Sequence, residues 1–242
     1  MRSVDNICNH LRRTSNRFFL MNTPRKIIVL GAGSDGLVIA EAMRQAVQAG
    51  QTIQLAGFLD DIHSVGDVIE GVKVYGRLDD WQNIPEDYRF ISAIQKVRDM
   101  PRRAARIDKL GIPADRWGTL IHPSAVVAQN VSIGLGVYVA ACATIQPGCS
   151  IGDFATIRAG AALGHDAVME RHTYVGPNAT MCGHAILREG AHLGPNAVIQ
   201  DGIEAGCFSV VGIGAAATKH VREYAVVMGN PARRIGKVRP AD

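Results

Sequence analysis

Counted from Ile121, every sixth residue of this chain is apolar. The series is Ile121, Val127, Ile133, Val139, Ile145, Ile151, Ile157, Leu163, Met169, Val175, Met181, Leu187, Leu193, Ile199, Ala205, Val211 and Ala217. Four residues after each comes a second series, starting Ala125, Val131, Val137, Ala143 and Cys149, in which nearly all members are small. A helix repeats every 3.6 residues and a strand every two, so a period of six fits neither. A short fixed repeat with one large and one small inward position describes a β-solenoid. Each hexad makes one short flat side and one corner. Three hexads make an 18-residue coil, and successive coils pair through their backbones about 4.8 Å apart. In "LGHDAV", Leu163 and Ala167 therefore point inward, while His165 takes an outward position.

The first half reads differently. In "KIIVLGAGSDGLVIAEAMRQA", Ile27–Leu30 is a continuous apolar run that predicts a buried parallel strand. Gly31, Gly33 and Gly36 then match GxGxxG, with Ser34 and Asp35 between them, ahead of helix-period residues from Leu37 to about Val47. Glycines at these positions allow a tight turn and close approach of a phosphate to the amides of a helix N-terminus. The next strand, "IQLAGFLDD", ends in Asp60 and Asp61, where ribose or base recognition is expected. A strand pair at "GVKVYG", a strand at "RFISAI" and a helix near Pro101–Leu110 complete the region. That is about half of a full dinucleotide fold, which suits a mononucleotide or nucleotide sugar better than NAD. A ligand-free strand–helix turn remains the alternative. The division expected is a basic extension at 1–24, disordered, a Rossmann-like nucleotide-sugar domain at 25–118, and a β-helix domain with a C-terminal tail at 119–242.

Charge narrows the partners. The formal net charge is +4, but residues 1–26 hold Arg2, Arg12, Arg13, Arg17, Arg25 and Lys26 against Asp5 alone. The folded body is then close to neutral, which gives no footprint for nucleic acid. No apolar run reaches the roughly 18 residues of a membrane span. Five cysteines, Cys8, Cys142, Cys149, Cys182 and Cys207, form no CxxC pair. Free thiols in a reducing compartment, the cytoplasm, are expected.

The motifs "GAGSDGLVIAEAM", "AGFLDD", "HPSAVVA", "IGDFATI", "GHDAVM", "VGPNATMCG" and "MGNPARRIGK" follow one another in an order that resembles the hexapeptide-repeat sugar acyltransferases, of the sialic-acid O-acetyltransferase and bacillosamine N-acetyltransferase type. The resemblance covers about residues 25–238. It implies a left-handed parallel β-helix behind a Rossmann-like half domain, a homotrimer with active sites between neighbouring β-helices, and acetyl-CoA as co-substrate. The acceptor it implies is an amine or hydroxyl of a sugar that is often nucleotide-linked. It maps the general base onto His165 and the supporting carboxylate onto Asp166. An imidazole with its ordinary pKa of about 6.5 can accept a proton at neutral pH. One coil beyond His165 lies Gly183, whose backbone amide would meet the thioester carbonyl. Lys219, Arg233 and Arg234 would face the phosphates of the coenzyme, and Gly31–Gly36 with Asp60 and Asp61 would hold the nucleotide sugar.

Three positions depart from the pattern. Asp35 stands where relatives commonly carry the histidine of GxxGH, and a carboxylate there repels phosphate. Arg158, seven residues before His165, replaces an asparagine and changes the charge expected beside the base. Tyr174, nine residues after His165, replaces a histidine of some relatives. Arg158 and Tyr174 are thus candidates for the acceptor pocket. His172, Cys182, His184 and His192 fall in different hexad positions and supply no tetrahedral metal set, so no metal is expected. The function expected is acetyl-CoA-dependent N-acetylation of a nucleotide-linked amino sugar for surface-glycan synthesis. Sugar O-acetylation, a non-catalytic trimeric binding protein and an NAD-dependent enzyme are the alternatives.

Overall fold

The computed structural model describes residues 24–94 and 99–241. The basic extension foreseen at 1–24 lies almost wholly outside them. Among the described residues no helix is long and apolar enough to cross a membrane.

The apolar run of the first half becomes β1 (Arg25–Leu30), whose last four residues are buried on both faces. It pairs in parallel with β2 (Ile53–Leu59) and β5 (Arg89–Ser92). β3 (Val68–Ile69) and β4 (Val72–Gly76) form an antiparallel ribbon, of which only β4 lies in the "GVKVYG" where a strand pair was expected, and the sheet order is β3-β4-β2-β1-β5. Helix α1 (Ser34–Gln48) begins three residues earlier than its apolar period suggests, because the Gly-rich turn itself supplies the first helical turn. It lays Ile39, Ala40, Met43 and Ala46 on the sheet. Helix α2 (Met100–Lys109) packs Ile107 among Ile28, Leu30 and Phe90 on the opposite side. Its Asp99 N-cap accepts a bond from the Arg102 amide.

From Leu120–Ile121 to Ala216–Ala217 the chain forms two-residue rungs every six residues. Each rung pairs in parallel with the rung 18 residues on, as Ala162↔Thr180 and Leu163↔Met181 do. Three parallel sheets result, and the structure is a left-handed β-helix. The first face contains Tyr138–Val139, Thr156–Ile157, Tyr174–Val175 and His192–Leu193. The second contains Thr144–Ile145, Ala162–Leu163 and Thr180–Met181, and the third Ser150–Ile151 and Val168–Met169. Inside, the large positions and small corner positions meet in one continuous buried column from Val137 to Val227. Each large side chain so buried contributes roughly 1.5–3 kcal/mol, which offsets the ordering of very short strands. Beyond the last rung, a hairpin of Ala225–Met228 and Arg233–Lys237 closes the end of the first face.

The outward positions of the first face are not exposed. Tyr138, Thr156, Tyr174 and His192 are all buried, and Leu120, Tyr138 and Ala140 share a cluster with Ile27, Val29 and Met43 of the N-terminal half. Trp117 and Phe154 meet edge to face at 4.8 Å in the adjoining cluster. At the centre of this seam lies Arg103 of α2, 1% exposed. Its guanidinium donates to the carbonyls of Ile94 at 2.8 Å, and of His172 and Phe154 at 3.1 Å each. Burial pushes its pKa down to about 10, so it is still a cation at neutral pH. The three carbonyls take the place of water around that cation.

Replacing Arg103 with Ala leaves those carbonyls without their donor. Urea denaturation should show a loss of about 2–4 kcal/mol. A change below about 0.5 kcal/mol would mean that the arginine does not join the two halves.

Candidate active site

The corner between the second and third faces carries the outward groups. A residue here follows a rung by two positions, so the corner column reads His165, Gly183, Asp201 and then Lys219, which follows the last rung of that face. His165 and Asp166 are about half exposed. His165 Nδ1 meets Asp166 Oδ2 at 2.9 Å. Asp166 can face its neighbour because the tight corner holds it at φ +57°, a left-handed conformation that short polar side chains tolerate. The His165 amide donates to Gln146 Oε1 of the coil below at 3.0 Å, which fixes the turn. With Nδ1 held by the carboxylate, Nε2 is the ring atom available to chemistry.

Nε2 faces Gly183. A Cβ at Gly183 would lie 2.7 Å from His165 Nε2 and 3.1 Å from Asp201 Oδ1. The imidazole therefore packs directly over Gly183, where a side chain would not fit. Among the described residues, no acceptor takes the Gly183 amide, although its neighbours Cys182 and His184 donate to Ile199 and His165 carbonyls. An amide without an acceptor and an imidazole nitrogen without a partner thus stand one coil apart on the same corner. This is what acyl transfer needs: a base for the nucleophile's proton and a donor for the developing oxyanion.

His184 also belongs to this corner. It stands one coil above Asp166, its ring edge-on to His165 with centroids 4.9 Å apart. One 18-residue coil separates it from Asp166, but in sequence His184 was weighed only with His172, Cys182 and His192, from which no metal set was expected. Those residues do not form a unit. His172 and His192 lie buried at the seam, far round the coil, where burial pushes each imidazole down to about 4, helped by Arg103. The groups that do converge are His165, Asp166 and His184, each exposed, with ligand atoms within 4.8 Å of one another. They are the donors a borderline divalent cation could take.

Farther along the same corner, Ala217, Lys219, His220, Arg222, Arg233 and Arg234 line a basic cleft of about 300 Å³. Lys219 is three coils from His165, about 14 Å at the spacing of paired strands.

The Gly-rich turn sits at the other end of the second face. Gly31 has φ +103°, and a Cβ at Gly36 would collide with the Gly31 carbonyl oxygen. Both are therefore required by the fold. Gly33 is not: its backbone is ordinary and a Cβ there meets nothing within 4 Å. Ser34 opens the helix and makes no capping bond.

The acidic positions need correction. Asp60 was expected near a base or ribose. Instead, its Oδ2 accepts from the Ala32 amide at 2.8 Å, and its Oδ1 from the Ile62 and His63 amides and the His63 ring. Burial opposes its ionisation, but these bonds outweigh it and hold its pKa down at about 2. Asp60 thus shapes the turn from within. Asp61 accepts from the Leu78 amide and pairs with Arg77 and Arg106. Asp35 and Arg158, which raised separate doubts in sequence, are partners: Arg158 Nη1 meets Asp35 Oδ1 at 2.7 Å. Within one chain Arg158 therefore serves the Gly-rich turn and not the charge beside His165. Tyr174 is buried, stacked on His192 at 4.7 Å.

With this geometry in place, comparison with known proteins is informative. Residues 26–99 match the PglD N-terminal domain family. No curated protein sequence matches the chain. Among solved structures, the acetyltransferase domain of PglB from Neisseria gonorrhoeae FA1090 is 26% identical with a TM-score of 0.79, over 87% of this chain and all of that one. The same domain has also been solved in complex with acetyl coenzyme A. PerB from Caulobacter crescentus, in complex with CoA and GDP-perosamine, is 28% identical with a TM-score of 0.74, over 87% of this chain and 97% of that one. WeeI from Acinetobacter baumannii AYE is 25% identical with a TM-score of 0.74, over 87% and 100%.

Two predictions follow from the turn. Gly36→Ala should lower Tm sharply, while Gly33→Ala leaves it within about 1 °C; equal effects would contradict the roles given to the two glycines. The folded pKa of Asp60 lies below its unfolded value of about 3.9. Its stabilisation is therefore present above that value and lost as pH falls towards 2. Asp60→Asn should cost roughly 2–3 kcal/mol at pH 7, a gap that closes between pH 4 and pH 2 in denaturation curves.

Proposed function

We propose, on the premise that the chain is a hexapeptide-repeat sugar acyltransferase, that it transfers acetyl from acetyl-CoA directly to the amine of a nucleotide-linked sugar. His165 acts as the general base. One observation carries this reading: His165 Nε2 packs against Gly183, whose amide has no acceptor among the described residues, with Nδ1 anchored on Asp166.

The coenzyme lies along the corner column. Lys219, Arg233 and Arg234 neutralise its phosphates in the basic cleft. Its pantetheine arm runs down past Asp201, and the thioester carbonyl reaches the Gly183 amide. The sugar nitrogen attacks the carbonyl carbon and loses a proton to His165 Nε2. Asp166 steadies the imidazolium so formed. The C–N bond forms, the C–S bond breaks, and His165 returns the proton to the departing thiolate, leaving an amide and CoA. No acyl-enzyme is needed when both substrates are bound together.

In this reading residues 25–118 hold the nucleotide sugar and residues 119–242 carry the transfer. The Gly-rich turn and His165 stand at opposite ends of the second face, so a single copy does not bring them together. The outward side chains of that face, Val126, Thr144, Ala162, Thr180, Val198 and Ala216, carry no charge, and Val126 and Val198 are exposed. A neighbouring copy packed there, as in a homotrimer, would bring one copy's turn towards another's base. The relatives' ligands, acetyl coenzyme A for PglB and GDP-perosamine for PerB, support the substrate classes. The product then belongs to surface-glycan synthesis.

Thiol release from acetyl-CoA, measured against a panel of UDP- and GDP-linked amino sugars, tests the reading. His165→Ala should lower kcat by at least about 100-fold, with an unchanged mass in light scattering. Full activity in that variant would remove His165 from the role. Gly183→Ala places a methyl against Nε2 and should cut kcat/KM at least about tenfold without lowering Tm. Wild-type turnover would contradict the placement of the thioester.

A further inference from the structure

The Asp35–Arg158 pair is the longest-range ion pair between the two halves, joining residues 123 apart in sequence. It sits at the N-terminus of α1, where backbone amides and the helix dipole favour an anion. Asp35 puts a carboxylate there. Arg158 is only 16% exposed, yet a single one of its five N–H donors is engaged among the described residues, by Asp35. Two tyrosines, Tyr138 and Tyr174, lie on the rungs either side of Thr156, which precedes Arg158 by two residues. Tyr138 is 2% and Tyr174 7% exposed; neither hydroxyl makes a hydrogen bond to the described residues, and neither is among the buried unpartnered atoms, so both oxygens can be reached from solvent. Both phenols are pushed up by burial, with Arg158 and Asp35 each acting on both. A mostly buried guanidinium with spare donors, flanked by two unpartnered hydroxyls beside a Gly-rich turn, is an incomplete anion site.

We infer that Arg158, with the hydroxyls of Tyr138 and Tyr174, binds the diphosphate of the nucleotide sugar, and that Asp35 is the counter-ion that holds Arg158 in the empty site. This rests on the nucleotide-sugar reading above and assigns its anion contact to the β-helix instead of to the turn alone. Asp35 then does not bind ligand. It keeps a buried cation neutral and pre-oriented until the diphosphate arrives, and its own charge weakens the final complex. An Arg–phosphate contact is bidentate and directional, so it fixes the sugar end as well as the charge.

Calorimetric titration of the full chain with UDP, GDP and inorganic pyrophosphate tests this, with CoA as the independent ligand. Arg158→Gln should weaken the tighter nucleotide at least tenfold. Asp35→Asn should tighten it by about threefold or more, since it removes a like charge and frees the guanidinium. The Asp35→Asn/Arg158→Gln double variant, in which no charge is left unpaired, should still bind more weakly than the wild type, so that the loss in Arg158→Gln is that of a phosphate contact and not only of an Asp35 charge left bare. CoA affinity should stay within twofold throughout, which reports an intact fold. Nucleotide binding that survives Arg158→Gln within twofold, or Asp35→Asn weakening binding as Arg158→Gln does, would overturn the inference and leave the nucleotide-sugar reading standing. A wild-type chain that binds CoA but neither nucleotide nor pyrophosphate would overturn both.

Discussion

The structure depends on one constraint: short rungs can be stable only if each buries a side chain against the rungs above and below it. Two-residue strands have almost no pairing energy of their own, and an isolated hexad has no core. The column from Val137 to Val227 supplies that core by repetition, since each coil presents its neighbour with the same large and small positions. The coils are therefore in strict register. Strict register lets single outward residues, 18 apart, form a functional column. His165, Gly183 and Asp201 share a corner because Leu163, Met181 and Ile199 share an interior.

The second constraint is the seam. The first face has an outward surface of Tyr138, Thr156, Tyr174 and His192 that would be poorly solvated if left bare, and the N-terminal half covers it. Apolar packing contributes most of this contact. Arg103 adds direction, because a guanidinium satisfied by the carbonyls of Ile94, His172 and Phe154 fits only one placement of α2 against the coils. The same seam brings the start of α1 to Arg158. The position of the Gly-rich turn relative to the β-helix follows from this packing.

Much of this was legible in sequence because the relevant signals are periodic or local. The hexad series predicts all seventeen rungs from Leu120–Ile121 to Ala216–Ala217, and β1, β4 and α2 follow from apolar runs and turn residues. Adding one coil to His165 finds Gly183. What failed was of another kind. Asp35 and Arg158 each looked like a defect because their contact spans two elements with no shared period. Asp60 was read only as a ligand residue because acids end second strands in nucleotide folds; its bonds to the amides of Ala32, Ile62 and His63, made across the turn, carry no sequence signal. His184 was within reach of the 18-residue count but was assessed with His172 and His192, which share its residue type and not its corner.

The central claim is that the His165–Gly183 corner is where the thioester sits. A crystal structure of the chain with CoA bound tests it most directly. The sulfur should lie within about 4 Å of both His165 Nε2 and the Gly183 amide nitrogen, with the phosphates at Lys219 and Arg233. CoA bound along a different corner, or with its sulfur away from His165, would contradict it.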